Sequence, residues 1–394
     1  MKTTKKLIRY ILSIDWRYAF FFIFGGFAIG VYKELLAPIR TQKIVFNYIS
    51  ITSFSIILLF TISLIIVNPI FNSQGYINYV EFARWNLREV VSVVVLCLVT
   101  SKKYNSNFAI DSEGSFIKVG AIFASIGLIE YFLANIGVYL NTGMLETNNE
   151  GYKFFRAFLG AHNASGGLYM FIAILAYWNV LSRKLNPTYF VLNTSGFLLS
   201  GSRTALISFF IIFLVINGYF FKSKLKKILN VSIALLAIFI ISSGSVIPRL
   251  LNALSSESDY NTLSRFSLWE QSINGFLMSP IIGIGWGNYG FFSPQSYSSG
   301  IFTHAHNSFL QILCEGGIIG LLAFLFLGIQ IIRRLYLERC FGVLFAFFGI
   351  LISSMYEHNL GAPTIMVPVV YIIGINLNKR VLKYEESSYK ALKD

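Results

Sequence analysis

The sequence predicts an all-α polytopic integral membrane protein. Of its 394 residues, 55% are hydrophobic and only 13% are charged, whereas soluble domains carry roughly 25% charged residues. Apolar runs near the length of a spanning helix, about 20 residues, recur along the whole chain. We therefore expect one membrane domain over residues 1–394, with about 11–12 transmembrane helices and one long loop, residues 248–306, between late helices.

The net charge of +14 does not indicate a nucleic-acid partner. Lysine and arginine accumulate in the cytoplasmic loops of membrane proteins, and that bias explains the excess. The three cysteines, Cys97, Cys314 and Cys340, lie in or beside apolar segments without the spacing of metal ligands. We expect no nucleic acid, no metal and no cofactor, and we expect the lipid bilayer as the surrounding partner.

Eleven apolar segments are candidate spans. The segment 188–200 is the shortest, and Pro187 and Gly201 bound it, so we predict a short or tilted helix buried among others. The candidate spans run over about 18–32, 44–67, 86–100, 116–139, 158–181, 188–200, 203–221, 228–247, 307–332, 340–355 and 362–378.

Basic residues orient these spans. They concentrate in alternate loops, such as Lys222–Lys227 and Arg333–Arg339, which we place in the cytoplasm. The loop 248–306 then lies outside the cytoplasm. Eleven crossings leave the basic N-terminus on the wrong side, so twelve crossings remain an alternative.

Two arginines on the outer side are candidates for binding an anionic substrate. Arg203 stands between two apolar runs, where an arginine is costly to keep unless it has a role. Arg265 begins an amphipathic segment, Leu263–Met278, suited to lying on the membrane surface. The alternatives are a snorkelling arginine and a lipid-headgroup anchor. Two guanidinium groups facing one cavity suit a diphosphate, since each can bind phosphate oxygens with two parallel hydrogen bonds.

A pair of histidines precedes the apolar helix that follows the long loop. His304 and His306 are two residues apart, and no further cluster of Asp, Glu or His completes a metal site. A histidine at a cavity is the usual general base for a hydroxyl, while Asn307 suits a helix cap. His162 and His358, also on the outer side, are each interpreted as structural.

The glycine-rich run Gly283–Gly290 has the spacing of a dinucleotide-binding fingerprint. It follows Pro280 in a membrane-protein loop rather than a strand–helix unit. We interpret it as a tight turn that brings the backbone close to the membrane.

Four stretches of the chain form a recognisable set through their order and spacing. The stretches are S-G-S-R-T-A at Ser200–Ala205, S-R-F-S-L-W at Ser264–Trp269, S-P-I-I-G-I-G-W-G-N-Y at Ser279–Tyr289 and H-N-S-F-L-Q-I-L-C-E-G-G-I-I-G-L-L at His306–Leu322. Together they resemble the O-antigen polymerase and O-antigen ligase family of bacterial envelope glycosyltransferases. The resemblance is strongest over His306–Leu322 and covers roughly residues 156–330. Each stretch alone is weakly specific, and their order and spacing give the resemblance its weight.

The resemblance implies a metal-independent, inverting transfer of a glycan from an undecaprenyl-diphosphate carrier on the periplasmic face. By the same resemblance, Arg203 and Arg265 face the diphosphate and His306 is the catalytic base. His304, Asn307 and Arg156 are further candidate substrate-binding residues. A chain-length regulator protein is an expected partner of a polymerase.

Three functions remain open on the sequence. The first is a polymerase, in which both substrates are carrier-linked O-antigen or capsular repeat units, and we favour it. The second is a ligase, whose acceptor is lipid A–core. The third is a transporter of the carrier-linked glycan, for which internal repeats and charged residues at the bilayer midplane are typical; neither is evident here, and the candidate residues group at one face.

Overall fold

The protein is a helical membrane bundle with one small hairpin. The computed structural model describes residues 47–67, 79–101, 112–140, 142, 144–147, 153–157, 159, 161–220, 260–292 and 304–391. Within these residues, the helices are α1 (Tyr48–Ile62), α2 (Tyr79–Thr100), α3 (Ser112–Asn135), α4 (His162–Leu181), α5 (Pro187–Leu199), α6 (Arg203–Phe220), α7 (Tyr260–Met278), α8 (Tyr289–Phe292), α9 (Ser308–Leu337), α10 (Phe341–Ser353) and α11 (Pro363–Ala391). A π-helical segment, Ser63–Val67, continues α1, and the strands β1 (Leu145–Thr147) and β2 (Lys153–Phe155) pair antiparallel.

The predicted all-α membrane architecture is confirmed. Two candidate spans, 18–32 and 228–247, lie outside the described residues, and each of the others coincides with a helix. Among the described helices, α3, α4, α6 and α9 are long and apolar enough to cross a membrane, and α1, α10 and parts of α2 and α11 are shorter apolar helices. The predicted break after residue 200 is also present, because Gly201 takes a positive φ of 65° between α5 and α6.

Helix α4 is the centre of the bundle. It packs against α3, α5, α6, α10 and α11, and its residues from Leu168 to Ala176 are at most 1% exposed. Polar groups here must be satisfied inside the protein, because the bilayer offers no water. The Tyr169 hydroxyl donates to the Gly120 carbonyl at 3.2 Å, and the Tyr177 hydroxyl donates to Asn217 at 3.1 Å.

The outward faces of the helices are apolar. Large hydrophobic side chains on α1, α6 and α9, such as Phe54, Ile207 and Phe326, are 56–57% exposed. A water-soluble protein rarely presents such contiguous apolar surface. These faces therefore fit contact with lipid chains.

Helix α9 is broken at Gly317, where φ is 61° and ψ is −163°. The predicted span 307–332 coincides with α9, which is long and apolar enough to cross a membrane, and the break divides this helix. The loop that follows α7 fills the break, with Gly283 also at positive φ, 72°. A Cβ at Gly283 would lie 2.3 Å from the Glu315 backbone, so only glycine fits.

The loop replaces the helical hydrogen bonds that the break removes. In an unbroken helix, the carbonyls of residues 314 and 315 would accept from the amides of residues 318 and 319. All four groups pair with the loop instead, and none faces lipid unsatisfied. The bonds are Ile284 N to Cys314 O (3.0 Å), Gly285 N to Glu315 O (3.0 Å), Ile318 N to Pro280 O (2.9 Å) and Ile319 N to Ile281 O (3.2 Å).

The β1–β2 hairpin lies against the first turn of α4. The His162 ring stacks on Phe154 with ring centroids 5.0 Å apart, and its Nδ1 lies 3.5 Å from a Glu146 carboxylate oxygen. His162 therefore joins the hairpin to α4, as its structural interpretation predicts.

The orientation predicted from the basic loops is testable with single cysteines. We expect Ile136→Cys, just after α3, to react with a membrane-impermeant maleimide added outside the cell. Arg183→Cys lies in the loop after the C-terminal end of α4, which we place on the cytoplasmic side. This cysteine should react only after permeabilisation. Both side chains are exposed, and Cys340→Ser in the background removes the least buried native thiol. Reversed labelling would overturn the orientation.

Candidate active site

The carboxylate of Glu357 is the centre of a polar cluster at one end of the bundle. Arg265 Nη2 lies 2.6 Å from Glu357 Oε1, and His306 Nδ1 lies 3.0 Å from Glu357 Oε2. Asn163 donates to Oε1 over a longer 3.4 Å. The Glu357 side chain is only 7% exposed, while Arg265 and His306 are 24% and 20% exposed. The cluster thus holds a buried carboxylate under two partly accessible groups.

The connection between α10 and α11 positions Glu357. Ser308, the first residue of α9, holds this connection at three points. Its amide donates to the Ser354 carbonyl (2.9 Å), its hydroxyl donates to the Glu357 carbonyl (3.1 Å), and the same hydroxyl accepts from the Leu360 amide (3.2 Å). Because His306 lies two residues before Ser308, these bonds bring the histidine and the carboxylate together.

Glu357 is ionised in this environment. Burial alone would raise the pKa of its carboxyl, but the hydrogen bond from His306 and the positive charge of Arg265 lower it below the ordinary value. A carboxylate only accepts hydrogen bonds, so the proton on His306 resides at Nδ1. The Nε2 atom of a neutral His306 is then the one with a lone pair, as a general base requires.

His304, His306 and His358 form a chain of rings at this end of the bundle. The rings of His304 and His306 are 4.5 Å apart, and His304 stacks on His358 at 5.4 Å. Burial lowers the pKa of His358 to about 4, although the carboxylates of Glu315 and Glu357 act in the opposite direction. His358 is therefore neutral at pH 7. The sequence assigns it a structural role, and the structure places it beside His304.

The backbone of His306 is unusual. Its φ is 48°, a left-handed conformation that few residues other than glycine, asparagine, aspartate and histidine adopt readily. This conformation lies directly before Asn307, whose side chain accepts from the amides of Phe309 and Leu310 at 3.0 and 3.1 Å. Asn307 therefore caps α9 and fixes the position from which His306 projects.

Helix α7 contains Arg265 and positions it in the cluster. The apolar residues Phe266, Ile273 and Leu277 of this helix are 45–63% exposed, and Leu268 is buried on the inner side. This is the pattern of a helix lying at a membrane surface. The loop that follows α7 contains the glycine-rich run Gly283–Gly290. Within this run, the Tyr289 hydroxyl donates to the Leu268 carbonyl at 2.9 Å. The loop thereby holds α7, and with it Arg265, over the site.

Arg203 lies at the same end of the bundle, half-buried at the start of α6. Its neighbours show this position. A Cβ at Gly166 of α4 would lie 2.5 Å from Ser202, and Asn163, one turn earlier in α4, contacts Glu357. The structure thus brings Arg265, His304 and His306 into one cluster and places Arg203 near it.

Arg156 lines a separate cavity of about 300 Å³ between the hairpin and the end of α3. Glu130, Tyr139 and Lys153 line the same cavity. The Lys153 ammonium donates to the Ala134 carbonyl at 2.6 Å. The predicted role of Arg156 in substrate binding therefore concerns this cavity and not the Glu357 cluster.

Sequence reasoning missed Glu357 and Asn163. The only available signal was that Glu357 is a carboxylate beside a histidine in a short connection between two apolar runs. Its partners are 51 and 92 residues away along the chain, so no local motif joins them.

A comparison with known protein families matches part of the chain. Residues 188–325 match the family model described as O-antigen ligase, about a third of the chain. The matched segment contains Arg203, Arg265 and His306, and it ends before Glu357. No curated protein matches the chain. The resemblance found in the sequence is thereby confirmed.

Proposed function

Since residues 188–325 match the O-antigen ligase family, we propose that the chain is a membrane glycosyltransferase acting on an undecaprenyl-diphosphate-linked glycan at the periplasmic face of the plasma membrane. The observation that carries this proposal is the shared carboxylate of Glu357, bound by His306 and Arg265. It supports the proposal because a histidine and an arginine lie side by side at one end of the bundle, as a general base and a cationic group would.

His306 is the base in this proposal. Its Nε2 takes the proton from a hydroxyl of the acceptor sugar, and the hydroxyl oxygen forms a bond to the anomeric carbon of the donor. The bond from that carbon to the carrier diphosphate breaks at the same time, so the configuration inverts. Glu357 orients the ring and stabilises the imidazolium that forms, as a carboxylate partner does for other catalytic histidines.

Arg265 stabilises the departing diphosphate. Its bond to Glu357 uses one Nη2 donor, and a guanidinium has five N–H donors, so others are directed to phosphate oxygens. Arg203 approaches from the start of α6 with a second guanidinium. Charge developing on the leaving group is stabilised by groups already in place, which is the most effective form of electrostatic catalysis.

An apolar cavity beside the cluster suits the carrier's polyprenyl chain. It has a volume of about 180 Å³ and lies between α2, α9, α10 and α11. Phe309 and Leu360, which line it, are each three residues from a member of the cluster, His306 and Glu357. A lipid seated there would bring its diphosphate close to Arg265.

We propose the polymerase reaction, in which the acceptor is a second carrier-linked repeat unit. The ligase reaction uses the same donor and differs in its acceptor, lipid A–core. Deletion of the gene followed by gel analysis of surface polysaccharide distinguishes them. Loss of a polymerase leaves single repeat units on the lipid acceptor, whereas loss of a ligase leaves a bare acceptor and carrier-linked polymer. An unaltered pattern would contradict both.

The Arg265→Lys variant tests the role of the guanidinium. Lysine keeps the charge beside Glu357 but loses the planar set of donors. Loss of one charge-assisted hydrogen bond should slow transfer roughly tenfold to a hundredfold, measured with purified enzyme and carrier-linked substrate. Arg183→Lys, at an exposed position on the opposite face, is the matched control. Full activity of Arg265→Lys would show that Arg265 only anchors α7 to the membrane.

A further inference from the structure

A third cavity lies at the opposite end of the bundle from Glu357. Its volume is about 440 Å³, and it lies between the start of α1, the last turns of α9, and α11. Arg333, Arg334, Gln330 and Asn47 line one part of it. Tyr48, Ile49, Phe326, Ile329, Leu337 and Leu377 line the rest.

The cavity is amphipathic, with cationic side chains at one end and apolar side chains at the other, as the headgroup and acyl chains of a phospholipid require. Both arginines are exposed in the final turns of α9, where the basic side chains of a spanning helix reach the headgroup level. Phe326 and Ile329, about two turns and one turn before Arg333, are 56% and 60% exposed and continue the wall towards the bilayer interior. A ligand there meets cationic groups at one end and hydrocarbon at the other.

The polar end of the cavity carries a net positive charge, and hydrogen bonds hold the residues around it in place. Arg334 Nε lies 3.4 Å from Glu338, which offsets one charge, and Arg333 and Arg339 remain in the same stretch. The Thr52 hydroxyl bonds to Gln330 at 3.0 Å and joins α1 to α9 across the cavity. At the mouth, Asn47 caps α1. Arginine binds phosphate oxygens with paired hydrogen bonds.

We propose that this cavity is a binding site for an anionic phospholipid, with its phosphate on Arg333 and Arg334 and its acyl chains along α9. Basic pockets between spanning helices are recognised sites for anionic headgroups. The lipid joins α1 to the end of α9, and its position separates it from the glycan-transfer site. This proposal is independent of the enzymatic activity.

The test is the binding of dioleoylphosphatidylglycerol and dioleoylphosphatidylcholine to the purified full chain in neutral detergent, followed by native mass spectrometry and thermal unfolding. The anionic lipid should bind more tightly and raise the unfolding midpoint. Arg333→Gln with Arg334→Gln should weaken its binding by roughly thirtyfold, given the usual contribution of each basic residue. The zwitterionic lipid should bind both proteins alike.

Arg183→Gln with Lys184→Gln is the matched control, because it removes the same charge from an exposed site elsewhere. Inorganic phosphate at millimolar concentration tests the headgroup alone and should not reproduce the stabilisation. Equal binding of the two lipids, an equal loss in the control, or full stabilisation by phosphate would each overturn the proposal. If the double variant does not fold, Arg333→Gln alone is measured and should show an intermediate loss; an unchanged preference would again overturn it.

Discussion

The His306→Ala variant is expected to transfer glycan about 10²–10⁴-fold more slowly than the wild type, the usual contribution of a general base. The loss follows from the position of His306 Nδ1, 3.0 Å from the Glu357 carboxylate, which leaves Nε2 as the proton acceptor. The measurement is the single-turnover rate of the purified enzyme with carrier-linked donor and acceptor. Binding of the carrier lipid should remain close to that of the wild type.

The backbone at position 306 requires a second variant. Because φ is 48° there, alanine adds some conformational strain, whereas asparagine tolerates the left-handed region. His306→Asn should therefore be as inactive as His306→Ala and better folded. His304→Ala should lose less activity, and His162→Ala, in the hairpin contact, is the matched control. If His304→Ala is inactive while His306→Ala turns over normally, the base is His304.

The Glu357→Gln variant is expected to lose up to about 10⁴-fold in rate, as happens where the carboxylate partner of a catalytic histidine becomes an amide. An amide can present its NH₂ group to His306 Nδ1 and favour the wrong tautomer. It also leaves Arg265 without its negative partner. The rate is measured in the same single-turnover assay. Glu338→Gln, which removes the carboxylate of a partly exposed ion pair at the end of α9, should leave the rate unchanged.

The unfolding midpoint measured over a range of pH tests whether the charge of Glu357 stabilises the fold. The pKa of Glu357 is lowered in the folded protein, so its ionisation stabilises the fold above the ordinary value of 4.5. That stabilisation is lost as the pH falls below this value towards the folded pKa. The difference in unfolding midpoint between wild type and Glu357→Gln should therefore narrow on acidification. A constant difference would show that the charge contributes nothing.

The membrane helices could be predicted because hydrocarbon imposes a simple rule. Every backbone group in the bilayer core must be paired inside the protein, so apolar runs become helices. The short segment after Pro187 and the break at Gly201 were predictable for the same reason, since proline and glycine mark helix ends locally. The break in α9 was not, because the G-G pair at Gly316 and Gly317 is compatible with a continuous helix. Only the arrival of the loop from Pro280 makes the break favourable.

Two members of the Glu357 cluster could be singled out from the sequence. His306 and Arg265 are polar residues at the outer end of apolar segments, where they are costly and need a reason. Glu357 could not be singled out, because its place in the cluster depends on a contact across 51 residues. Within a short connection, a single glutamate has the same appearance whether it faces solvent or binds a histidine. The packing of Ser308 against residues 354–360 turns Glu357 towards His306 rather than towards solvent.

Four hydrogen bonds join α9 to the loop that follows α7, and all four are between main-chain atoms. Such a junction depends little on the identity of the side chains beside it. Ile281 and Ile282 are 64% and 45% exposed and can be replaced by other side chains, while Gly283 and Gly317 are fixed by steric contact. The sequence beside the junction can therefore vary without loss of the frame that holds Arg265 and His306.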